Sequence, residues 1–421
     1  MKVLVIGSGA REHALAWKLS KSPRVKAVYA APGNAGTALL GENLPVAGED
    51  LRGLSDAVQA KHIDLVVVGP EGPLAAGAVD HFRKLGVPVF GPSQKAAQLE
   101  SSKAFAKGIM RKYGIPCARG ETFESFDAAK KFVEAAPKPP VVKADGLAAG
   151  KGVMVPATKQ EAIAALQDAM VKGIFGPAGK RVVLEECLDG VEASVFAFSD
   201  GEHVMTTIPA CDYKRVNDGD QGPNTVGMGS YSPPEFLSDD MIKRIHERVM
   251  VATVRAMASE GIPYTGVLYA GLMVSKDDFK VIEFNSRLGD PETQVILPRL
   301  ESDLLDVIEA VIAGRLDRVS MKWTSQPCVG VVMASGGYPG NYVKGKPISG
   351  LDDVDDDVQV FHAGTKLQGG VPVTDGGRVL TVSAIGKDMR GAMAKAYDNV
   401  RRIRFEGAHY RKDIALRVVQ R

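Results

Sequence analysis

The stretch Val141–Val153 reads VVKADGLAAGKGV. Two β-branched residues lead into Lys143, and Gly146, Gly150 and Gly152 follow, with Lys151 between the last two. Glycines let backbone N–H groups approach an anion and lysines neutralise it, so the composition points to phosphate. The spelling is not that of a P-loop, which has four residues between its glycines and a Ser or Thr after the lysine to reach Mg²⁺. Here Gly146 and Gly150 enclose three residues, and Lys151 is followed by Gly152. Metal ligands must therefore come from elsewhere in the chain. Taken alone, the stretch also fits a flexible hairpin with solvated lysines.

Such ligands stand in KVIEFNSRLGDPETQ, Lys280–Gln294. Alternate side chains of a strand share a face, which puts Glu283 and Asn285 on one side and Ile282 and Phe284 on the other. A carboxylate and an amide oxygen so placed suit Mg²⁺, with nucleotide phosphates completing the octahedron. Arg287 follows in the same phase if the strand persists, adding a fork for carboxylate or phosphate. The competing reading is an exposed sheet face with a salt bridge. Between the two stretches, VVLEECLDGVEAS offers backbone groups from Glu185 to Leu188 for adenine and Glu192 for ribose hydroxyls. A surface hairpin with ordinary acidic residues is the alternative there. The polar, glycine-rich Cys211–Pro234 lacks the periodicity of a core element and reads as a long binding loop or lid. Asp218 and Asp220 lack the spacing and closing Glu of an EF-hand. Neither a GxSxG elbow nor an HExxH pair occurs.

At 421 residues, with 45% hydrophobic and 24% charged, the chain is an ordinary globular sequence of two to four domains. A net charge of +2 with scattered basic residues gives no reason to expect nucleic acid or membrane as a partner. Cys117, Cys187, Cys211 and Cys328 form no CxxC pair and are expected as reduced, small apolar residues in a cytoplasmic protein. KVLVIG, AVYAAP, IDLVVVGP and VPVFGP read as buried strands alternating with helices, so residues 1–102 are expected to form a doubly wound parallel sheet. Ligands on such sheets sit at the carboxyl ends of the strands. A dinucleotide fits poorly, because Glu12 stands where the third glycine belongs and the second strand ends without the acidic residue that would hold ribose. Residues 117–190 read as a compact α+β unit, and a C-terminal segment with its own strands starts near Pro327.

GSGAREHALAWK, APGNAGTA, VVGPEGPL, QLESSKAFAK, EECLDGVEAS, KRVNDGDQGPNT, GVLYAGLM, SGGYPG, VFHAGTK and GGRVL occur in the chain together with the two stretches above. In this order the set resembles the phosphoribosylamine–glycine ligase family, ATP-grasp enzymes of purine biosynthesis, over almost the whole length. The resemblance implies an α/β and α+β multidomain protein: residues 1–102 a doubly wound domain, 103–326 the ATP-grasp domain with a mobile lid at about 117–190, and 327–421 a small α+β domain. It implies that ATP converts glycine to glycyl phosphate and that 5-phosphoribosylamine then attacks. Lys103, Lys143 and Lys151 with Gly146, Gly150 and Gly152 are expected on ATP phosphates. Glu185, Glu186, Leu188 and Glu192 are expected around adenine and ribose, and Glu283 and Asn285 on the metal. Lys151, Arg287 and Asp212 take the catalytic roles; Arg287, Asp290, Asp212 and Lys214 line the glycine and amine site, and Gly9, Arg11, Glu12 and Asn34 receive the ribose phosphate. The partners are these small molecules, and a monomer or weak dimer is expected.

Four positions depart from the family pattern. Val226 replaces a glycine, Ala10 a glycine, Leu288 an aromatic residue and Tyr213 a histidine. The metal ligands and phosphate lysines are intact, so the departures bear on kinetics and loop motion. Another ATP-grasp ligase with a different carboxylate, or a silent nucleotide-binding protein, are the competing classes.

Overall fold

A computed structural model describes residues 1–148 and 150–420, so Ala149 in the glycine-rich loop and Arg421 lie outside the described residues. The N-terminal strands β1 (Lys2–Gly7), β2 (Ala27–Pro32), β3 (Glu42–Asn43), β4 (Leu65–Val68) and β5 (Val89–Phe90) form one sheet in the order β3-β2-β1-β4-β5. Every pairing in it is parallel. Val3 and Val5 pack with Ala14 and Leu15 of the helix Ala10–Ser20, while Leu4 and Ile6 pack with Leu54 and Val58 of the helix Leu51–Lys61. Both faces are covered, which is why β1 is an unbroken apolar run. Each such burial is worth on the order of 1.5–3 kcal/mol. Glu12 closes the turn after β1, accepting from the Gly9 N–H at 2.7 Å and pairing with Arg11 at 2.5 Å. A side chain on Gly7 or Gly69 would meet Glu12 Cγ at 2.4 or 2.5 Å, so these glycines make room for that carboxylate.

The strands β6 (Gly120–Phe123), β7 (Val141–Ala144), β8 (Val153–Met154) and β9 (Val182–Glu185) form an antiparallel sheet ordered β6-β9-β7-β8. Ser125 and Thr158 cap the helices Phe126–Ala135 and Lys159–Leu166 by accepting from the backbone N–H groups of Ala128 and Glu161. The core of this unit, including Val133, Val142, Leu166, Val182 and Leu184, is drawn entirely from residues 123–184.

Then follow β10 (Val191–Asp200), β11 (Val204–Thr206), β12 (Cys211–Asp212), β13 (Arg215–Asn217), β14 (Gln221–Asn224) and β15 (Gly229–Ser232). After them come β16 (Thr265–Val274), β17 (Phe279–Asn285), β18 (Cys328–Ala334), β19 (Val358–His362), β20 (Thr365–Gln368), β21 (Val371–Thr374) and β22 (Arg378–Ile385). The central sheet runs β11-β10-β16-β17, and the C-terminal sheet runs β12-β15-β18-β22-β19. A core containing Val3, Phe196, Leu304, Cys328 and Phe361 crosses from the N-terminal sheet through the central one to the C-terminal one. Asn34 brackets the joint, donating to the Ser8 and His362 carbonyls at 2.9 and 2.7 Å and accepting from the Gly36 and Thr37 N–H groups. No helix among the described residues is long and apolar enough to cross a membrane.

Three expectations need correction. Cys211–Pro234 is not one long loop: it holds the hairpin β13–β14 and the fully buried β15, an inner strand of the C-terminal sheet. Its glycines and serines hid it, because Gly229 lies 2.8 Å from the Gly330 carbonyl at the point where a side chain would start. Ile282 does not share the face of Phe284. The register between β16 and β17 shifts there, Gly271 pairing with Glu283 and Leu272 with Val281, so Ile282 is bulged out of the ladder. Val281 and Phe284 enter the core, while Ile282 and Glu283 both face Gly271. The third concerns Cys187 alone: expected as a small apolar residue like the other cysteines, it is exposed in the link from β9 to β10, whereas Cys211 and Cys328 are buried and Cys117 partly so.

Candidate functional site

A cleft of about 900 Å³ lies between the 120–185 unit and the central sheet. Lys143 on β7 spans it, donating to the Ile282 carbonyl at 2.6 Å and pairing with Glu185 at 2.6 Å. The bulge makes that carbonyl available. Glu185 also takes Lys107 at 2.5 Å, and all three charged groups are buried. Asp145 fixes the start of the glycine-rich loop: it accepts from the Ala104 N–H and from Arg181 Nε, both at 2.6 Å, at the open N-terminus of the helix Lys103–Lys112. Lys103 donates to the Gly146 carbonyl at 3.2 Å. Burial pulls its ammonium below the usual lysine range, and the neighbouring Glu283 opposes that. Lys151 is exposed, outside the lining of the cleft.

The wall holds Glu186, Leu188 and Glu192. Glu186 accepts from the Arg119 N–H at 2.9 Å and from Lys280 at 2.8 Å. Burial would raise its carboxyl, but these donors bring it down to about 2. Lys214 pairs with Glu192 and stands near Asp212 and Glu283. Asp212 carries the opposite balance: burial pushes its carboxyl up, Lys214 resists, and Glu292, Glu192 and Glu283 add to the rise, which reaches about 7.

Glu283 and Asn285 stand at the end of β17, on the floor of the cleft. Gly271 gives Glu283 its room, because a side chain there would come within 2.9 Å of Glu283 Cγ. Burial would raise the Glu283 carboxyl, yet Lys214, Lys143, Lys103 and Arg287 hold it below the usual range. Among the described residues no three of His, Cys, Asp and Glu gather as a ready metal cage. One carboxylate and one amide oxygen with cations around them fit a divalent ion bound jointly with a polyphosphate.

Beyond β17, Arg287 is clamped between Glu71 and Glu100, each at 2.9 Å. Burial drives the Glu100 carboxyl up against the pull of Arg287. For Glu71 the same burial is outweighed by Arg287 and Arg11, and its carboxyl sits at about 2. Arg11 donates to the Leu288 carbonyl at 3.3 Å. Asp290 Oδ1 accepts from Arg378 at 2.9 Å and from Gln294 at 2.7 Å, and its Oδ2 faces Gly9. Glu292, also in the lining, accepts from Ser194 at 2.8 Å and Tyr269 at 2.9 Å.

The cleft thus brings together Lys103, Lys143, Gly150, Gly152, Glu185, Glu186, Leu188, Glu192, Asp212, Lys214, Glu283, Asn285, Arg287, Asp290 and Arg11. It does not bring in Gly146, Lys151, Gly9, Glu12 or Asn34. The polar atoms of Glu12 and Asn34 are engaged within the N-terminal turns and the joint to β19, so they shape the neighbourhood. Sequence reasoning missed Glu71, Glu100, Lys107, Glu292 and Arg378. All five stand in quoted motifs, Glu71 in VVGPEGPL, Glu100 and Lys107 in QLESSKAFAK, Glu292 in GDPETQ and Arg378 in GGRVL, but motif membership alone did not say which side chain turns inward. Tyr213 and Leu288 are structural: the Tyr213 hydroxyl accepts from the Ala415 N–H at 3.0 Å, its ring lies against Arg411, and Leu288 is buried in the shared core.

Comparison with known proteins places the chain among relatives over its whole length. Residues 1–100, 101–293 and 328–417 match the N domain, the ATP-grasp (A) domain and the C domain of phosphoribosylglycinamide synthetase. Phosphoribosylamine–glycine ligase of Halalkalibacterium halodurans is 50% identical over 419 residues, 100% of this chain and 97% of that protein. The Gallus gallus trifunctional purine biosynthetic protein adenosine-3 is 52% identical over 423 residues, 99% of this chain and 42% of that longer protein. Among solved structures, phosphoribosylamine–glycine ligase from Thermotoga maritima superposes with a TM-score of 0.86 at 36% identity, covering 99% of this chain and 100% of that one. Biotin carboxylase from Campylobacter jejuni, at 17% identity, shares the fold with a TM-score of 0.76, covering 100% of this chain and 95% of that one.

Proposed function

Since the chain belongs to the phosphoribosylglycinamide synthetase family, we propose that it joins glycine to 5-phosphoribosylamine with cleavage of ATP, giving glycinamide ribonucleotide, ADP and phosphate. The observation that carries this reading is the convergence of Lys103 and Lys143 with Glu283 and Asn285 in one cleft. A glycine carboxylate oxygen attacks the γ-phosphorus and the bond to ADP breaks. The amine nitrogen then attacks the acyl carbon of glycyl phosphate, the carbon–oxygen bond to phosphate breaks, and the nitrogen sheds a proton. Positioning and charge neutralisation suffice for both steps.

Lys103, Lys143 and Lys151 would neutralise phosphate oxygens, with backbone N–H groups of the loop 146–152 beside them. The 117–190 unit would serve as the lid that excludes water, and its separate core suits a body that moves as one. Adenine would rest on the backbone of Glu185–Leu188, with Glu192 on the ribose. Mg²⁺ (or Mn²⁺), when held by Glu283 and Asn285, would supply charge neutralisation between the phosphates. Arg287 would orient the glycine carboxylate and Asp290 the amine, while Asp212, whose carboxyl burial pushes up from its ordinary range, would hold the proton the amine loses. Gly9 and Arg11 would face the ribose phosphate, supported by Glu12 and Asn34. A cytoplasmic setting is part of the same proposal. The test is ADP release by the purified protein with ATP, glycine and phosphoribosylamine, each omitted in turn. The reading requires all three; equal or faster turnover with another carboxylate would overturn it.

A further inference from the structure

Two motifs of the chain have no part in the chemistry so far, SGGYPG (Ser335–Gly340) and GGRVL (Gly376–Leu380). The structure joins them. Ser335 donates through its N–H to the Gly377 carbonyl at 2.7 Å and through its hydroxyl to the Gly376 carbonyl at 2.8 Å. Gly377 lies flat against the Tyr338 ring, where a side chain would start 2.4 Å from Tyr338 Cδ2. This packing sends Arg378, the first residue of β22, into the cleft from the C-terminal sheet.

The guanidinium makes a fork. Nη1 donates to the carbonyls of Val226 at 2.9 Å, Gly227 at 3.3 Å and Asp290 at 2.9 Å, and Nη2 pairs with Asp290 Oδ1 at 2.9 Å. Tyr338 adds a second hold on the same turn, its hydroxyl accepting from the Val226 N–H at 3.4 Å. Two consequences follow from the geometry. With Oδ1 taken by Arg378 and Gln294, Asp290 turns Oδ2 toward Gly9, whose own side-chain position is only 3.3 Å away. Val226 in turn presents Cγ1 to Gly150 of the glycine-rich loop, at 2.4 Å from where a side chain on that glycine would begin.

We propose that Arg378 is a positioning residue for the ligation: it presents one oxygen of Asp290 to the amine site and anchors to the C-terminal sheet the Val226–Gly227 turn on which the phosphate loop rests. The proposal rests on the function given above. A lysine cannot replace this fork, because a single ammonium cannot serve three carbonyls and a carboxylate in one plane.

The test uses the full-length enzyme with Arg378→Lys and Tyr338→Phe, read by steady-state kinetics, binding of a non-hydrolysable ATP analogue and thermal melting. In Arg378→Lys the KM values for glycine and phosphoribosylamine rise together by roughly tenfold or more, as for a lost buried charge pair. Analogue affinity also falls several-fold, because the Val226–Gly227 turn loses its anchor to β22, and melting is unchanged. Adding Asp290→Asn to Arg378→Lys costs much less than the product of the two single losses, the mark of residues acting as a unit. Tyr338→Phe, which frees only the turn, raises KM for ATP and leaves that for glycine alone. It keeps the proposal open to refutation should Arg378→Lys not fold. Unchanged KM values, fully multiplicative losses, or a rise confined to phosphoribosylamine, which would make Arg378 a direct phosphate ligand, overturn it. Absence of ADP formation by the wild-type protein would instead remove the reading of function, so the two failures are distinguishable.

Discussion

Gly271 illustrates how one residue without a side chain governs the site. The Glu283 side chain occupies the space opposite it, beside the bulge at Ile282. Gly271→Ala is expected to displace Glu283 and lower turnover by roughly a hundredfold, as misplacements near 1 Å do, with melting nearly unchanged. Glu185 shows the reverse case of a charge that the fold itself requires. Glu185→Gln would leave Lys107 and Lys143 buried without a counter-charge, and chemical denaturation should record a loss of about 3–5 kcal/mol. At this scale residue type was legible in part: Lys143 and the acid–amide pair Glu283 and Asn285, singled out by type and spacing, line one cleft, whereas Lys151 does not. The partners of Arg287 were not legible, since Glu71 and Glu100 lie in a different part of the chain and only the folded arrangement brings them together.

Among the elements, strand periodicity worked where apolar residues marked it and failed where packing was backbone on backbone. β1 and β4 announced themselves as unbroken apolar runs, whereas β15, written Gly-Ser-Tyr-Ser, is equally buried and gave no apolar pattern. A bulge is likewise invisible to a period of two, which is why the facing of Ile282 was misjudged. The glycine-rich loop and the Val226 turn meet where the Val226 side chain faces Gly150. Val226→Gly should loosen the loop: hydrogen exchange at residues 150–153 should quicken and KM for ATP should rise several-fold. Exchange unchanged by that substitution would show that the loop is held by its own hydrogen bonds, such as Asp145 to the 103–112 helix.

For the whole molecule, the N-terminal and C-terminal parts meet at a pair of uncharged histidines. The His362 N–H donates to His13 Nδ1 at 2.8 Å and the rings lie 5.7 Å apart. Burial and the neighbouring His362 pull His13 down to about 3, and burial pulls His362 down to about 4. An unfolded chain protonates both near 6.5, so the unfolded state binds more protons below that pH. Stability is therefore fully present above pH 6.5 and falls as the pH drops toward 4, by up to about 1.4 kcal/mol per pH unit for each ring. Urea unfolding at pH 7 and 5.5 should show this slope, and His362→Gln should reduce it. This joint was not readable in advance, because HAL and VFHAG are more than 300 residues apart. What motif order did convey was the family, whose N, ATP-grasp and C domains the chain matches in that order. The most direct test of the chemistry assigned to the cleft is isotope transfer from glycine labelled with ¹⁸O in its carboxylate. A glycyl phosphate intermediate requires one labelled oxygen to appear in each inorganic phosphate released, and phosphate free of label would contradict the account.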